Sequence, residues 1–262
     1  MVMLTRRKLL ANMARLAAAT GMSAFLPPFC PSVFAGDSRE ELIRQAPRAR
    51  FWTSVPLAGH NCRLCHDTLD GGNAPRHRHE AHLVRCLLCA QKCIIREGQR
   101  GRCRARINVR GELRSLVYGR PVAVHVDPIE KKPLYHFLPG AATYSLGTAG
   151  CPLSCKFCQN WELSQAWPED LKSSYTPPSL IVRSAHARRA PVIAFTYNEP
   201  TVFAEYFLDI AGEARKQGIR RVIISCGFMN REPLAEMCGA LDAVKIDLKG
   251  FSPSFYRDIC GA

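Results

Sequence analysis

The sequence has no apolar run long enough to cross a lipid bilayer, because a membrane-spanning helix needs about 20 apolar residues. It therefore predicts no membrane-spanning helix. Acidic residues are also scarce, with 22 Asp and Glu against 36 Lys and Arg. The basic residues do not alternate with aromatic ones in repeats, as they do on many surfaces that bind single-stranded nucleic acid. This weighs against nucleic acid as the main partner.

The excess of positive charge, formally +14, is concentrated between Arg76 and Arg120. Such a surface attracts polyanions. Three interpretations remain open from composition: contact with nucleic acid, contact with an acidic electron-transfer protein such as a flavodoxin, and a solvated face without a partner. With 262 residues, 47% of them hydrophobic, the chain suffices for one large domain, alone or with a small one attached.

Residues 1–35 have the pattern of an export signal. The pair Arg6-Arg7 precedes a mildly apolar stretch, and Val33-Phe34-Ala35 resembles a small-residue cleavage site. This pattern predicts a twin-arginine-type signal peptide and export to the periplasm. The alternative is a cytoplasmic protein whose start is misassigned or whose basic tail is retained.

The rest of the chain is predicted to have three parts. Residues 36–60, with two prolines and little periodicity, are predicted to be a linker, and residues 61–119 a cysteine-rich module. Residues 120–262 form the core, where β-branched strands alternate with helices. The strands are predicted at 144–146, 191–196, 221–225 and 243–247. A helix is predicted to begin after an N-cap at Thr201 and to end at Gly218.

This alternation predicts an α/β fold with a parallel sheet, whose ligands lie at the carboxyl ends of the strands. The residues that could carry chemistry follow those ends: the loop of Cys151, the pair Asn198-Glu199, the pair Cys226-Gly227, and the run from Asp247 to Lys249. The chain stops soon after the fourth strand. We therefore expect a core truncated after about four βα units, with an unpaired fourth strand.

Thirteen cysteines occur in this chain, many grouped as C-x2-C or C-x3-C, and their odd number and grouping favour metal binding over disulfides. The most informative group is Cys151, Cys155 and Cys158, spaced C-x3-C-x2-C. Three thiolates suit the iron of an iron-sulfur cluster and leave a fourth iron for another ligand. Simpler interpretations of the group are part of a zinc site or three buried thiols.

With an aromatic residue, Phe157, before its last cysteine, this motif resembles that of the radical S-adenosylmethionine (radical SAM) superfamily. Residues 127–140 (DPIEKKPLYHFLPG), the cluster loop followed by Gln159-Asn160-Trp161, and Tyr197-Asn198-Glu199-Pro200 narrow the resemblance to the radical SAM enzymes of the AmmeMemoRadiSam system, which are related to pyruvate formate-lyase activating enzymes. The resemblance extends from about Val84 to the end of the chain. Pro152 stands where many relatives have Asn, which leaves the three cysteines intact.

The resemblance implies a partial (β/α) barrel and a [4Fe-4S] cluster on Cys151, Cys155 and Cys158, with S-adenosylmethionine on the fourth iron. Reductive cleavage would give a 5′-deoxyadenosyl radical that abstracts hydrogen from an unknown protein or small-molecule substrate, with electrons from a flavodoxin or ferredoxin-type donor. Asn198 and Glu199 would hold the methionine amino end. The resemblance also implies that Phe157 lies near the adenine and that Asp247 and Lys249 contact the cofactor.

The upstream cysteines allow several metal sites. Cys86, Cys89, Cys93 and Cys103 match the cysteine module of the same family, and four thiolates suit tetrahedral zinc. A rival set joins Cys62 and Cys65 to Cys86 and Cys89 with zinc-ribbon spacing. The module could instead hold a second cluster, or its thiols could be buried and inert. We favour the first set.

Two other functions remain open from the sequence. Cys62 to His66 forms a C-x-x-C-H match for covalent haem, although no distal ligand stands out among His77, His79 and His82. With the export signal, this match allows an exported haem or iron-sulfur electron carrier. The basic stretch around four cysteines allows a zinc module that binds nucleic acid.

Overall fold

A five-stranded sheet forms the centre of the fold in a computed structural model, which describes residues 38–55 and 82–262. The strands of the described chain are β1 (Trp52–Val55), β2 (Leu83–Cys86), β3 (Ile94–Ile95), β4 (Arg106–Val109), β5 (Glu112–Ser115), β6 (Ala123–Pro128), β7 (Ala142–Gly147), β8 (Val192–Phe195), β9 (Arg220–Ser225) and β10 (Ala243–Ile246). The α-helices there are α1 (Arg39–Gln45), α2 (Trp161–Ser164), α3 (Pro178–Ala187), α4 (Ala204–Lys216), α5 (Arg231–Gly239) and α6 (Pro253–Phe255). None of these helices is long and apolar enough to cross a membrane.

The order of the large sheet is β10-β9-β8-β7-β6. Strands β7 to β10 are parallel, and α3, α4 and α5 lie in the connections between them. The four predicted strands and their alternation with helices are therefore confirmed, with β10 at one edge of the described sheet. The antiparallel edge strand β6 was not predicted, and only its last two residues, Asp127 and Pro128, belonged to a motif considered in the sequence.

The two faces of the sheet are covered differently. On one face, Ile193 and Phe195 of β8 belong to the main core with residues of α3 and α4. On the other face, Val192 and Ala194 pack with Ile129, and the chain between β6 and β7 adds further apolar contacts. All four residues of β8 are buried, as expected of a parallel strand covered on both sides.

The approach to helix α4 differs from the prediction. A 3-10 turn, Pro200–Phe203, precedes the helix, so Thr201 is not its N-cap. Instead, the Glu199 carboxylate accepts a hydrogen bond from the Thr201 amide at the start of the turn. The predicted end is confirmed: α4 ends at Lys216, and Gly218 follows with φ of +68°.

The expectation that residues 36–60 form a linker is wrong for the described part, 38–55. Ser38 caps helix α1 by accepting a hydrogen bond from the Glu41 amide, and β1 pairs with β2 in antiparallel register. Phe51 and Trp52 are 4% and 3% exposed and belong to the main core. Pro47 belongs to this ordered segment, since its carbonyl accepts a hydrogen bond from the Ser115 amide at 3.0 Å.

The described part of the cysteine-rich module also shares this core. Strands β1, β2 and β3 form one small sheet, and β4 and β5 form a hairpin. Buried residues of both, such as Val84 and Leu113, belong to the same apolar cluster as Leu146 and Phe203 of the α/β core. The two parts therefore fold around a common interior.

A buried ion pair joins the two parts. Arg106 of β4 and Glu205 of α4 form two hydrogen bonds of 3.0 and 2.6 Å, with their side chains 1% and 6% exposed. The amide of Arg50 donates a third to Glu205, at 2.8 Å. Burial would raise the pKa of Glu205, but the Arg106 guanidinium outweighs it and lowers that pKa.

We predict that Glu205→Gln lowers the free energy of unfolding by about 3–5 kcal/mol, because it leaves a buried guanidinium without its counter-charge. Urea unfolding measures this. Glu213→Gln, on the outer face of the same helix, is the control and should change stability by less than about 0.5 kcal/mol.

The difference between wild type and Glu205→Gln should also depend on pH. Because the folded-state pKa of Glu205 is lowered, its contribution is fully present above the ordinary value of 4.5 and is lost as pH falls through the folded value. A difference that stays constant down to strongly acidic pH would contradict this assignment.

Candidate functional site

A cavity opens at the carboxyl ends of the parallel strands. It encloses about 580 Å³, part of which is open to solvent. Seven of the eight residues predicted for the cluster and cofactor line it: Cys151, Cys155, Cys158, Asn198, Glu199, Asp247 and Lys249. The strand order therefore brings together residues that are far apart in sequence.

The loop that carries the three cysteines begins at Gly150. This residue has φ of +90°, and a Cβ atom there would lie 2.2 Å from the carbonyl oxygen of Cys103. Only glycine avoids both the strained backbone and the clash. Its amide donates to the Leu163 carbonyl at 2.9 Å. Gly150 thus holds the start of the cluster loop directly against the cysteine-rich module.

The three thiols line one cavity but have different neighbours. Cys151 is the most enclosed, and burial raises its pKa to about 12. Burial and a hydrogen bond with the Cys260 thiol raise the pKa of Cys155 to about 11. The Cys158 sulfur lies 3.2 Å from the Ser164 hydroxyl.

The donor set fits an iron-sulfur cluster. Within residues 38–55 and 82–262, no three His, Cys, Asp or Glu side chains are grouped to hold one metal ion. A [4Fe-4S] cluster does not need such a grouping, because each thiolate binds a different iron. Three soft sulfur donors around one cavity therefore match the cluster in number and chemistry.

Asn198 ties the end of β8 to the cluster loop. Its side-chain amide donates to the carbonyl of Gly150 at 2.7 Å, and its carbonyl oxygen accepts from the amide of Thr148 at 3.3 Å. The side chain also contacts the Thr148 hydroxyl, at 3.3 Å. Both ends of the Asn198 side chain are thus used in positioning the loop.

Glu199 ties the end of β8 to β9. Its Oε1 atom accepts from the hydroxyls of Thr201, at 2.6 Å, and Ser225, at 2.7 Å, while Oε2 accepts from the Cys226 amide at 2.8 Å. The residue is only 4% exposed. The carboxylate also lines the cavity, so a donor group of a bound ligand can reach it.

Asp247 and Lys249 form an ion pair at the end of β10. The Lys249 ammonium donates to Asp247 at 3.0 Å, and Lys245 contacts the same carboxylate. Burial would raise the pKa of Asp247, but the two lysines lower it. These contacts are also consistent with a purely structural role for the pair.

Phe157 is placed differently from the other predicted residues. It is 52% exposed, and its ring lies 6.0 Å from that of Phe255. Its contact with adenine stays a prediction.

Tyr197 is a residue that the sequence did not single out. It lines the cavity with φ of +73°, its carbonyl accepts from the Asn160 side chain, and its hydroxyl donates to Asp127 at 3.2 Å. Its place directly before Asn198-Glu199 was the available signal.

Comparison with known proteins agrees with this geometry. Residues 145–262 match the family model of the Radical SAM superfamily. The chain contains a radical SAM domain. A protein of Methanocaldococcus jannaschii, named only as uncharacterized, is 41% identical over 179 residues, which are 68% of this chain and 53% of that protein. The chain thus spans about half the length of this relative. Radical SAM domains typically bind a [4Fe-4S] cluster and S-adenosylmethionine within a partial barrel.

The upstream cysteines lie beside the radical SAM domain. Cys86, Cys89, Cys93 and Cys103 line one small cavity, and the sulfurs of Cys93 and Cys103 both lie near Gly101. Gln91, in the same module, donates to the carbonyl of Pro152 in the cluster loop at 3.1 Å. The rival ligands Cys62 and Cys65, the haem match, the signal peptide, and His77 and His79 lie outside the described residues.

We predict that Gly150→Ala lowers the free energy of unfolding by at least about 2 kcal/mol, because it combines backbone strain with a clash against Cys103. Chemical denaturation measures the change. Gly212→Ala is the matched control: no atom lies within 4 Å of the added carbon, so in helix α4 it should stabilise by about 1 kcal/mol. Equal stability of the Gly150→Ala variant and wild type would show that the cluster loop does not lie as close to Cys103 as described.

Proposed function

We propose that this protein is a radical SAM enzyme related to the AmmeMemoRadiSam and pyruvate formate-lyase activating enzymes. Cys151, Cys155 and Cys158 bind the [4Fe-4S] cluster, which, when reduced, supplies the electron that cleaves S-adenosylmethionine to a 5′-deoxyadenosyl radical for hydrogen abstraction. The observation that carries the proposal is the convergence of three thiols and the Glu199 carboxylate on one cavity. The substrate is an unidentified protein or small molecule.

The protein's own residues hold and orient the cofactor. The Glu199 carboxylate, which lines the cavity, suits the ammonium of a bound methionine moiety, since a charge-assisted hydrogen bond is stronger than a neutral one. Asn198 acts through the loop, because its amide is already bonded to Gly150 and Thr148. Lys249, paired with Asp247 and near Cys155, supplies a positive charge that suits the methionine carboxylate.

The electron donor in this proposal is a flavodoxin or ferredoxin-type protein. Two features support an acidic donor: the net charge of +14 and the exposure of Lys156 and Phe157 in the cluster loop. An exposed cation beside an exposed aromatic ring offers electrostatic steering and an apolar contact. Export to the periplasm remains a prediction from residues 1–35.

We predict that anaerobic reconstitution with iron and sulfide gives a reduced cluster whose EPR signal changes when S-adenosylmethionine is added, and that dithionite then yields 5′-deoxyadenosine. Cys158→Ser should lower cluster content at least about tenfold, because it removes one of three ligands. Cys238→Ser, at an exposed cysteine of helix α5, is the matched control. A cluster that forms but gives neither the EPR change nor 5′-deoxyadenosine would favour a role as an electron carrier.

A structural zinc ion in the cysteine-rich module is a second proposal, supported by the four thiols of Cys86, Cys89, Cys93 and Cys103 around one cavity. These thiols are not grouped closely enough here to hold one ion, so zinc binding would draw them together. We predict about one zinc ion per chain, because four thiolates complete its tetrahedral shell. Elemental analysis of Cys89→Ser should show its loss. The double variant Cys62→Ser with Cys65→Ser should retain the zinc, and loss of zinc from this variant would favour the rival ligand set.

A further inference from the structure

Cys260, which the proposed function does not use, lies against one of the cluster cysteines. It is fully buried, with 0% exposure, at the end of the π-helical turn Tyr256–Cys260. Its thiol is near enough to that of Cys155 to raise the pKa of Cys155. Both cysteines are free thiols.

The main chain fixes this contact from both sides of Cys155. The Ser154 amide donates to the Cys260 carbonyl at 2.8 Å, and the Lys156 amide donates to the Ile259 carbonyl at 3.0 Å. These two hydrogen bonds hold the segment around Cys155 against the end of the turn that carries Cys260. A disulfide requires such backbone proximity.

A side chain of the cysteine-rich module also connects the two segments that carry Cys155 and Cys260. The Gln91 amide donates to the carbonyls of Pro152 and Gly261, each at 3.1 Å. One residue therefore holds both segments that carry the two thiols. Hydrogen bonds among three separate parts of the chain therefore hold these two segments close together.

Sequence spacing would favour a different partner. Cys158 forms a C-x2-C pair with Cys155, but its sulfur lies 3.2 Å from the Ser164 hydroxyl of helix α2. Of the two thiols, that of Cys260 has the larger effect on the pKa of Cys155. Geometry and sequence spacing thus make different predictions for the product of oxidation.

We infer that Cys155 and Cys260 form a disulfide when the protein carries no cluster and a disulfide oxidant is present. The two thiols give up two hydrogens and two electrons to oxidised glutathione: one S–S bond forms in the protein, one breaks in the oxidant, and two molecules of reduced glutathione leave. The effect on the cluster rests on the proposed function: the disulfide removes one of the three cluster ligands until a reductant restores the thiol.

Peptide mapping tests the disulfide directly. The 262-residue chain, stripped of iron by a chelator, is treated with oxidised glutathione, blocked with N-ethylmaleimide and digested with trypsin. Cleavage after Lys156 and Arg257 separates residues 132–156, 157–172 and 258–262, so Cys155, Cys158 and Cys260 fall on different peptides. Fragmentation distinguishes Cys151 from Cys155. We expect the Cys155–Cys260 link in about tenfold excess over any other link to Cys155.

Cluster assembly provides the second readout. Without added thiol reductant, oxidised wild-type protein should take up about fivefold less cluster than reduced protein. Cys260→Ser should lose this dependence, whereas Cys238→Ser should keep it; Cys260→Ala serves if the serine variant fails to fold. A dominant Cys155–Cys158 link, no link to Cys155, or equal oxidative loss in the Cys260 variants would overturn the inference. Failure of fully reduced wild type to assemble a cluster would instead refute the proposed function.

Discussion

Two adjacent side chains at the end of β8 tie together the three strand ends on which the candidate site is built. Asn198 bonds the loop that follows β7, and Glu199 bonds the end of β9. Parallel strands bring their carboxyl ends to one edge, but they do not fix the loops beyond it. The hydrogen bonds of these two residues do so, and they are largely shielded from water, which makes them costly to lose.

The cysteine-rich module also contacts the elements that carry the candidate site. The carbonyl of Cys103 approaches the backbone of Gly150 so closely that a single added carbon would not fit. The buried pair of Arg106 and Glu205 fixes the module against helix α4 at a second place. A metal ion that rigidifies Cys86, Cys89, Cys93 and Cys103 would therefore also rigidify the wall behind the cluster loop, because the two share main-chain contacts.

The sequence predicted the parts of this structure that depend on local patterns. Four β-branched runs and one amphipathic helix were enough to place the parallel strands. The strand order then placed Cys151, Glu199 and Lys249 at the same edge of the sheet. The partners of these residues were not predictable in the same way. That Glu199 would accept bonds from Ser225, or that Cys155 would meet Cys260, depends on loop geometry that no local spacing encodes. Residues 38–55 were missed for a related reason: their order comes from pairing with β2 and from burial in a core supplied by other segments.

The charges around the cavity constrain the chemistry it can support. Three thiolates and the Glu199 carboxylate would place several negative charges together, and the cluster potential depends on net charge, hydrogen bonds and exposure. Lys249 is a cation near Cys155 and Cys226. It forms an ion pair with Asp247, and Lys245 contacts the same carboxylate. The pair of lysines thus exceeds the single carboxylate by one positive charge at the end of β10. That surplus lies two strands away from Glu199 in the sheet, so a ligand that carries both an ammonium and a carboxylate would be oriented by the field of the protein itself.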